Sequence, residues 1–267
     1  MLPPPSCLRA LLIVLLAAVN LQARDLQVLF LGDQGHHNPQ GLSAALTPPL
    51  AAEGIHITYT ENLSDLNLAN LKNYDGLLVY ANIDELPPEQ EAALLTYVAE
   101  GGGFIPLHCA SYCFRNSAPV VDLIGAQFSQ HGGESFATEI VQPSHPIMER
   151  FSGFSSWDET YVHTKHNERN RVVLEVRKQG VQAEGKVAEP WTWVRTHGGG
   201  RVFYTAWGHD TRTWSHPGFQ NLLMRGIRWA CGDAPSLVAD YRDTQRFDVP
   251  QMQAAQTDVA PFEYSSP

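Results

Sequence analysis

The stretch GRVFYTAWGHDTRTW, residues 200–214, joins an apolar strand pattern to a group of polar and aromatic side chains. His209 and Asp210 lie between Trp207 and Trp214. Proteins hold sugar rings with this combination, since aromatic rings stack on C–H faces while imidazoles and carboxylates bind hydroxyl groups. We therefore predict that His209 is catalytic and that Asp210 and both tryptophans contact a substrate. The alternative is a loop that caps the next helix, with Trp214 packed in the core.

A second group follows the apolar run in FIPLHCASY, residues 104–112. A strand that turns sharply at its end resembles a nucleophile elbow. Cys109 would be a nucleophile only with a base nearby, and cysteine is also among the most buried residue types. We place His108 at the apex of the turn, predict that His108 is functional and Cys109 structural, and expect Tyr112 to contact a substrate. A Cys109-dependent hydrolase is a weaker alternative.

A third group lies in GDQGHHNP, residues 32–39, directly after an apolar strand pattern. Asp33, His36 and His37 could act there as metal ligands or as a substrate clamp. We predict substrate contacts for Asp33 and His37, and candidate metal ligation for both histidines. The alternative is a polar loop that caps the following helix. The glycines do not form a G-x-G-x-x-G pattern, so the sequence predicts no nucleotide cofactor.

A fourth group is WDETYVHTKH, residues 157–166. Read as one strand, it places Glu159, Tyr161 and His163 on the same face by alternation. That face is either the wall of a polar site or a solvated surface. We predict that Glu159 is catalytic and that Tyr161 contacts substrate, whereas His163 and His166 are solvated.

The HGGE stretch, residues 131–134, adds His131 as a candidate substrate contact, although a simple turn explains it equally well. Imidazoles suit proton transfer near neutral pH, so we assign acid–base roles to His108, His209 and the carboxylate Glu159. Histidine is also the commonest metal ligand. A divalent cation could polarise a carbonyl or bridge vicinal hydroxyls. Its candidate ligands are His36, His37, His108, Glu159 and His209.

These groups depend on alternating strands and helices to position them. The first half predicts strands at 26–32, 55–60, 75–80 and 104–109, with helices at 39–53 and 87–103. Apolar strands that alternate with helices form a parallel sheet covered on both sides. Open sheets of this kind bind ligands at the carboxyl ends of their strands, which is where Asp33, His37 and His108 fall.

The second half is richer in strand patterns and ends in a helix and a tail. Strands are predicted at 135–141, 159–164, 171–176, 191–197 and 201–206, with a hairpin at 197–200. A helix is predicted at 217–230. The tail after Asp233 mixes Pro, Gln, Asp and Ser, and we expect it to be extended or partly disordered.

The composition of the chain limits the kinds of partner that it can bind. The chain has 267 residues, 11 histidines and a net charge of -10. Such a charge argues against nucleic acid and against an anionic membrane surface, both of which attract basic faces. It is compatible with a small neutral substrate.

The N-terminus reads as a targeting segment. Arg9 precedes an apolar run that ends near Ala23, which is typical of a secretory signal peptide. We predict a signal at 1–23 and a secreted or periplasmic protein, with an uncleaved anchor as the alternative. Cleavage would remove Cys7 and leave three cysteines, too few for a disulfide scaffold.

Together these motifs resemble a known family. The strand LFLG near the start, FIPLHCAS, SHPIM, WDETY and GRVFYTAWGHDTRTW followed by GFQNLLMRGIRWA are similar to ThuA-like (trehalose-utilisation) proteins. The resemblance covers residues 26–232. It implies a flavodoxin-like α/β fold, a three-layer sandwich similar to class I glutamine amidotransferases. It also implies a role with sugars or keto-glycosides, and a sugar dehydrogenase as a pathway partner.

The sequence thus predicts three segments: a signal at 1–23, a ThuA-like domain at 24–232 and a tail at 233–267. The leading functional hypothesis is an exported enzyme that acts on a keto-sugar or glycoside by proton transfer beside a carbonyl or by metal-assisted chemistry. The alternative is a non-catalytic carbohydrate-binding protein.

Overall fold

A computed structural model describes residues 24–244, so the predicted signal peptide and residues 245–267 lie outside the described residues. The first half alternates strands and helices as the apolar pattern predicts. In chain order it contains β1 (Leu26–Leu31), α1 (Pro39–Ala52), β2 (Ile55–Thr60), α2 (Leu68–Leu71), β3 (Gly76–Val79), α3 (Pro88–Ala99) and β4 (Gly103–Pro106).

The second half begins with a 3₁₀ turn at His108–Tyr112. It continues with α4 (Ala118–Ile124), β5 (Gln127–Gln130), β6 (Gly133–Ala137), β7 (Glu139–Ile140), β8 (Ser155–Glu159), β9 (Val162–Thr164), β10 (Arg171–Arg177), β11 (Glu189–His197), β12 (Gly200–Thr205), α5 (Thr211–Trp214) and α6 (Pro217–Ala230).

One eight-stranded sheet forms the centre, in the order β2-β1-β3-β4-β12-β11-β10-β7. The strands from β2 to β12 are parallel, and β11, β10 and β7 continue the sheet antiparallel. This mostly parallel α/β sheet confirms the predicted fold class. Because β1, β3, β4 and β12 run in the same direction, their carboxyl ends meet at one edge of the sheet.

The core follows from the apolar runs of the central strands. Every residue of β3 and β4 is buried, and β1 exposes Gln27 alone. Helix α6 packs on β4 and β12. A Cβ at Gly226 would lie 2.4 Å from the Phe203 ring, so glycine lets helix and strand approach closely. The central strands are thereby held rigidly under the loops at their carboxyl ends.

Two predicted strands are each divided in two. The pattern at 135–141 forms β6 and β7, and the pattern at 159–164 forms β8 and β9. β6 pairs with β8 and β5 pairs with β9, so the two parts of the 159–164 segment belong to different small antiparallel sheets. Alternation therefore does not carry across the break at Thr160 and Tyr161.

The break overturns the prediction that His163 and His166 are solvated. His163 is 3% exposed. Its Nε2 lies 2.9 Å from the Tyr204 hydroxyl. His166 is half-buried, with Nε2 3.0 Å from the His163 carbonyl oxygen. Pairing of β9 with β5 turns this segment inward, because a strand break resets which side chains face the core.

The described part of the predicted tail, residues 233–244, is held against the domain. Arg225 on α6 donates hydrogen bonds to the carbonyl oxygens of Val238 and Ala239. Tyr241 forms a bridge with Phe151. Within residues 24–244, none of the helices has the length and apolar character needed to cross a membrane.

Candidate functional site

Four side chains converge at the carboxyl edge of the sheet: His37, His108, Glu159 and His209. One nitrogen or carboxylate oxygen from each lies within 4.8 Å of the others. We call these residues the four-residue cluster. Glu159 is central, with Oε2 3.3 Å from His108 Nε2 and Oε1 3.1 Å from His209 Nδ1. The loops after β1, β4 and β12 and the end of β8 each supply one member.

His108 occupies the apex of the elbow after β4, as predicted. Its φ of 45° is in the left-handed region, which costs a non-glycine residue free energy unless the surroundings hold it. The hydroxyls of Tyr204 and Ser111 both donate to its carbonyl oxygen, at 3.1 and 3.0 Å. The Tyr161 ring stacks on its imidazole at 4.1 Å. Hydrogen bonds to its backbone and stacking on its side chain therefore both stabilise the turn.

A backbone carbonyl sets the tautomer of His108. Nδ1 lies 2.7 Å from the carbonyl oxygen of Ala206. A carbonyl can only accept, so Nδ1 carries the hydrogen and, in the neutral ring, Nε2 presents its lone pair. That lone pair faces Glu159.

His37 is oriented in the same way by a residue after β3. Its Nδ1 lies 2.8 Å from Asn82 Oδ1, which leaves Nε2 as the free nitrogen. Burial, together with His108 nearby, lowers the pKa of His37 to about 3. The ring is therefore neutral near pH 7, the form in which imidazole can coordinate a metal.

Glu159 and His209 shift each other's ionisation. Burial alone would raise the pKa of Glu159, but His108 and His209 outweigh it and hold that pKa below its usual range. Burial alone would lower the pKa of His209, but Glu159 outweighs it and raises that pKa. A negative carboxylate thus sits among three imidazoles.

Asp158, adjacent to Glu159, holds the His209 loop from below. Its fully buried carboxylate accepts hydrogen bonds from the backbone N–H groups of Gly208 and His209, at 2.8 and 3.2 Å. The Thr213 hydroxyl donates to it at 2.7 Å. Burial raises the pKa of Asp158, and these donors counteract the rise. Consecutive carboxylates on β8 therefore have different tasks: one supports a loop, the other faces the cluster.

The donor set fits a divalent cation. His37 Nε2, His108 Nε2 and His209 Nδ1 are buried and lack a well-directed hydrogen bond, although the last two face the Glu159 carboxylate at 3.3 and 3.1 Å. The ligand atoms of the cluster all lie within 4.8 Å of one another, near enough for one ion to contact all four residues. Three imidazoles and a carboxylate are ligands that Zn²⁺ and similar transition metals accept.

Two predicted residues of the first loop lie outside the cluster. His36 is exposed, and its ring lies against His37 with centroids 4.0 Å apart. Its predicted role as a ligand is therefore not supported by its position. Asp33 accepts hydrogen bonds from the backbone N–H groups of Gly35 and Asn82, so it shapes the loop that orients His37.

The predicted sugar contacts of Trp207 and Trp214 are wrong for this structure, because both side chains are buried, at 0% and 3% exposure. Trp207 stacks on Phe136 at 4.5 Å. Trp214 donates its indole N–H to the carbonyl oxygen of Gly208. Burying such large apolar rings stabilises the fold more than leaving them at a wet surface.

Asp210 also follows the alternative interpretation. It caps α5 by accepting the N–H of Arg212, and it forms an ion pair with the Arg212 guanidinium. The carboxylate that supports the His209 loop is Asp158 rather than Asp210.

The rim holds the other predicted contacts. His131 is exposed, with Nδ1 3.5 Å from Glu159 Oε1. Tyr161 is buried beneath His108. Tyr112 stands one layer further out, with its ring 5.8 Å from that of Phe128, which in turn contacts Tyr161. The structure thus brings His131 to the cluster and leaves Tyr112 more distant. Tyr161 supports His108, and its burial at 3% exposure contradicts the predicted substrate contact, as for the two tryptophans.

Cys109 is completely buried, and burial raises the pKa of its thiol well above the usual value. A thiol in this environment does not ionise readily, so it is a poor nucleophile. The weaker alternative of a Cys109-dependent hydrolase has no support from this geometry.

The sequence analysis assigns no role to three residues that lie at this site: Asn82, Asp158 and Trp157. Asn82 follows β3 at the predicted edge, a position that could have indicated it. Asp158 neighbours Glu159, and its burial depends on the β12 loop folding over it. Trp157 lies two residues before Glu159 on β8, a signal that alternation within the strand could have supplied.

Comparisons with known proteins agree with this architecture. A ThuA-like protein from Bacteroides uniformis has a TM-score of 0.66 at 18% identity, over 81% of this chain and 97% of that one. A ThuA-like protein from Parabacteroides merdae has a TM-score of 0.64 at 20% identity, over 79% and 91%. A β-galactosidase from Bacillus circulans matches at a TM-score of 0.54 and 12% identity, over 79% of this chain and 32% of that one. No curated protein matches the chain significantly.

At these identities the structures indicate the fold alone, a mostly parallel α/β sandwich. The family model described as ThuA, trehalose utilisation, matches residues 27–230. The chain therefore belongs to the ThuA family, which relates it in general terms to carbohydrate use.

Proposed function

We propose that this protein is an exported enzyme that acts on a keto-sugar or glycoside at a divalent cation bound by the four-residue cluster. The observation that carries the proposal is the convergence of three buried imidazole nitrogens and the Glu159 carboxylate, with ligand atoms that all lie within 4.8 Å of one another. Hydrogen bonds to Ala206 and Asn82 direct the lone pairs of His108 and His37 inward, as in metal sites whose histidines are oriented by a second partner.

A bound divalent cation would polarise a sugar carbonyl or hold vicinal hydroxyls. His131, the exposed imidazole at the rim, supplies the base that accepts the proton. Its Nδ1 lies 3.1 Å from the Gly132 carbonyl oxygen, so Nδ1 carries the hydrogen and Nε2 is the free base. A proton on the carbon beside the carbonyl would pass to His131 Nε2. The imidazolium would then return it to the neighbouring carbon in an isomerisation, or give it to the departing glycosidic oxygen in an elimination.

Metal analysis tests the first part. Protein purified without a histidine tag should contain one divalent ion per chain by mass spectrometry, and Glu159→Ala and His108→Ala should lose it. His197→Ala is the matched control. His197 is an exposed histidine at the end of β11 and pairs with the amino end of β12, whereas the cluster lies at the carboxyl ends of the strands. Wild-type protein that takes up no ion from a panel of divalent metals would contradict the proposed metal site.

Turnover tests the second part. Metal-loaded wild-type protein should consume a keto-glycoside, and His131→Gln should reduce kcat while the metal content stays unchanged. Binding of the sugar without turnover by the wild type, under every metal condition, would favour a carbohydrate-binding protein instead.

Export is tested by N-terminal sequencing of the protein from a Gram-negative host. We expect a periplasmic product that begins at Arg24. This residue is anchored, since its guanidinium pairs with Asp75 at 2.6 Å and donates to the Cys231 carbonyl oxygen at 2.7 Å. A full-length product retained in the cytoplasm would contradict export.

A further inference from the structure

Trp157 is a partly exposed aromatic side chain beside the four-residue cluster. It lies two residues from Glu159 in β8, so both side chains project from the same face of the strand. The centroid of its ring lies 5.7 Å from that of His209. One short strand thus presents an indole and the central carboxylate side by side.

The other tryptophans are not available for this role. Of six in the chain, Trp191, Trp193, Trp207 and Trp214 are at most 3% exposed. Trp229 is partly exposed but lies on α6, where it contacts His145. Stacking on a ligand needs an accessible ring, so Trp157 is the tryptophan that a molecule bound at the cluster could contact.

The position of the Trp157 ring is built by its neighbours. The Arg212 guanidinium lies 3.5 Å from the ring centroid, and Arg212 Nε donates a hydrogen bond to Asp210 Oδ1 at 3.0 Å. A Cβ at Gly133 would lie 2.7 Å from Cζ2 of the indole, so glycine makes room for the ring. An ion pair on the indole and a glycine at its edge keep it in one place.

We propose that Trp157 is the platform on which a neutral pyranose ring stacks, with Arg212 as the positioning residue that holds the platform; this inference rests on the proposed function. Indoles bind the C–H faces of sugars, while the hydroxyl groups reach polar partners, here the cluster. The Asp210 carboxylate neutralises the Arg212 guanidinium. The side of the site formed by Trp157, Arg212 and Asp210 therefore carries no net charge, which suits contact with an uncharged pyranose ring.

The test is binding of α,α-trehalose and trehalose 6-phosphate to metal-analysed protein by calorimetry and tryptophan fluorescence. Trehalose should bind and should change the fluorescence. Trp157→Ala should weaken trehalose binding about tenfold and abolish the fluorescence change, as expected for loss of one stacked ring. Trp157→Phe should retain most of the affinity. Trp229→Phe, which alters a partly exposed tryptophan far from the cluster, should match the wild type.

Gly133→Val gives a second approach, because it retains Trp157 but displaces its ring, and it should also weaken trehalose binding. Unchanged affinity in both Trp157→Ala and Gly133→Val would overturn the platform alone. Loss of metal together with sugar in Trp157→Ala would overturn it too, since the ring would then be a support of the cluster. Wild-type protein that retains its metal but binds neither sugar would overturn both this inference and the carbohydrate part of the proposed function.

Discussion

At the scale of residues, the site depends on hydrogen bonds that two of its histidines donate to acceptors outside the cluster. Ala206 and Asn82 accept from His108 and His37, and each bond turns a lone pair toward Glu159. The chain uses a backbone carbonyl for one histidine and a side chain for the other. The side-chain acceptor can be removed by mutation without touching the cluster.

Asn82→Ala removes the acceptor that orients His37. We expect metal affinity to fall about 10- to 100-fold, because the ring can then rotate and take the other tautomer. Competition with a chromophoric chelator measures this change. Asn73→Ala, at an exposed asparagine of another loop, serves as the control. Equal affinities in both variants would mean that Asn82 does not orient a ligand.

At the scale of elements, β8 organises the site. Trp157 and Glu159 project from one face, and Asp158 projects from the other to accept hydrogen bonds from the loop after β12. The same five-residue strand pairs with β6, which supplies the glycine beside the indole. Loss of Asp158 should therefore affect the protein more than loss of an exposed acid.

Asp158→Ala leaves the N–H groups of Gly208 and His209 without their acceptor. We expect the free energy of unfolding to fall by about 3 kcal/mol, since buried donors to a charged group lose their partner. Urea denaturation followed by circular dichroism measures it. Glu139→Ala, which removes an exposed ion pair with Lys178, should change stability by less than about 1 kcal/mol. Similar small effects for both variants would show that the loop does not depend on Asp158.

At the scale of the whole molecule, several imidazoles are buried away from the cluster. Burial is the largest cause that lowers the pKa of His145, His163, His166 and His216. The folded state therefore binds fewer protons than the unfolded state once the pH falls below about 6.5, the ordinary pKa of histidine. The contribution of these four histidines to stability is therefore full above that pH and declines as the pH falls below it.

His163 should dominate this decline, because it is fully buried behind the His108 turn. Below pH 6.5 its contribution reduces the free energy of unfolding by up to about 1.4 kcal/mol per pH unit. His163→Gln removes the imidazole that binds a proton on unfolding, so the stability of this variant should fall less steeply with decreasing pH than that of the wild type. Urea titrations at pH 7.5, 6.5 and 5.5 measure the slopes. Parallel slopes would mean that His163 does not resist protonation in the folded state.

Much of the fold and part of the site follow from the sequence alone. Period-two and continuous apolar patterns predict the central strands, and placement of polar residues after them indicates the functional edge. His37, His108 and His209 end or follow predicted strands, whereas Glu159 is predicted from alternation along 157–166. These are local features, which neighbouring residues largely determine.

Only the tertiary structure decided which of these side chains meet. The insertion of β12 beside β4 brings residues about a hundred positions apart into one cluster, and no local pattern contains that pairing. The same packing buries Trp207 and Trp214, breaks the strand at Thr160, and leaves Trp157 at the rim. Burial depends on what covers a residue, and here the covering residues come from distant parts of the chain.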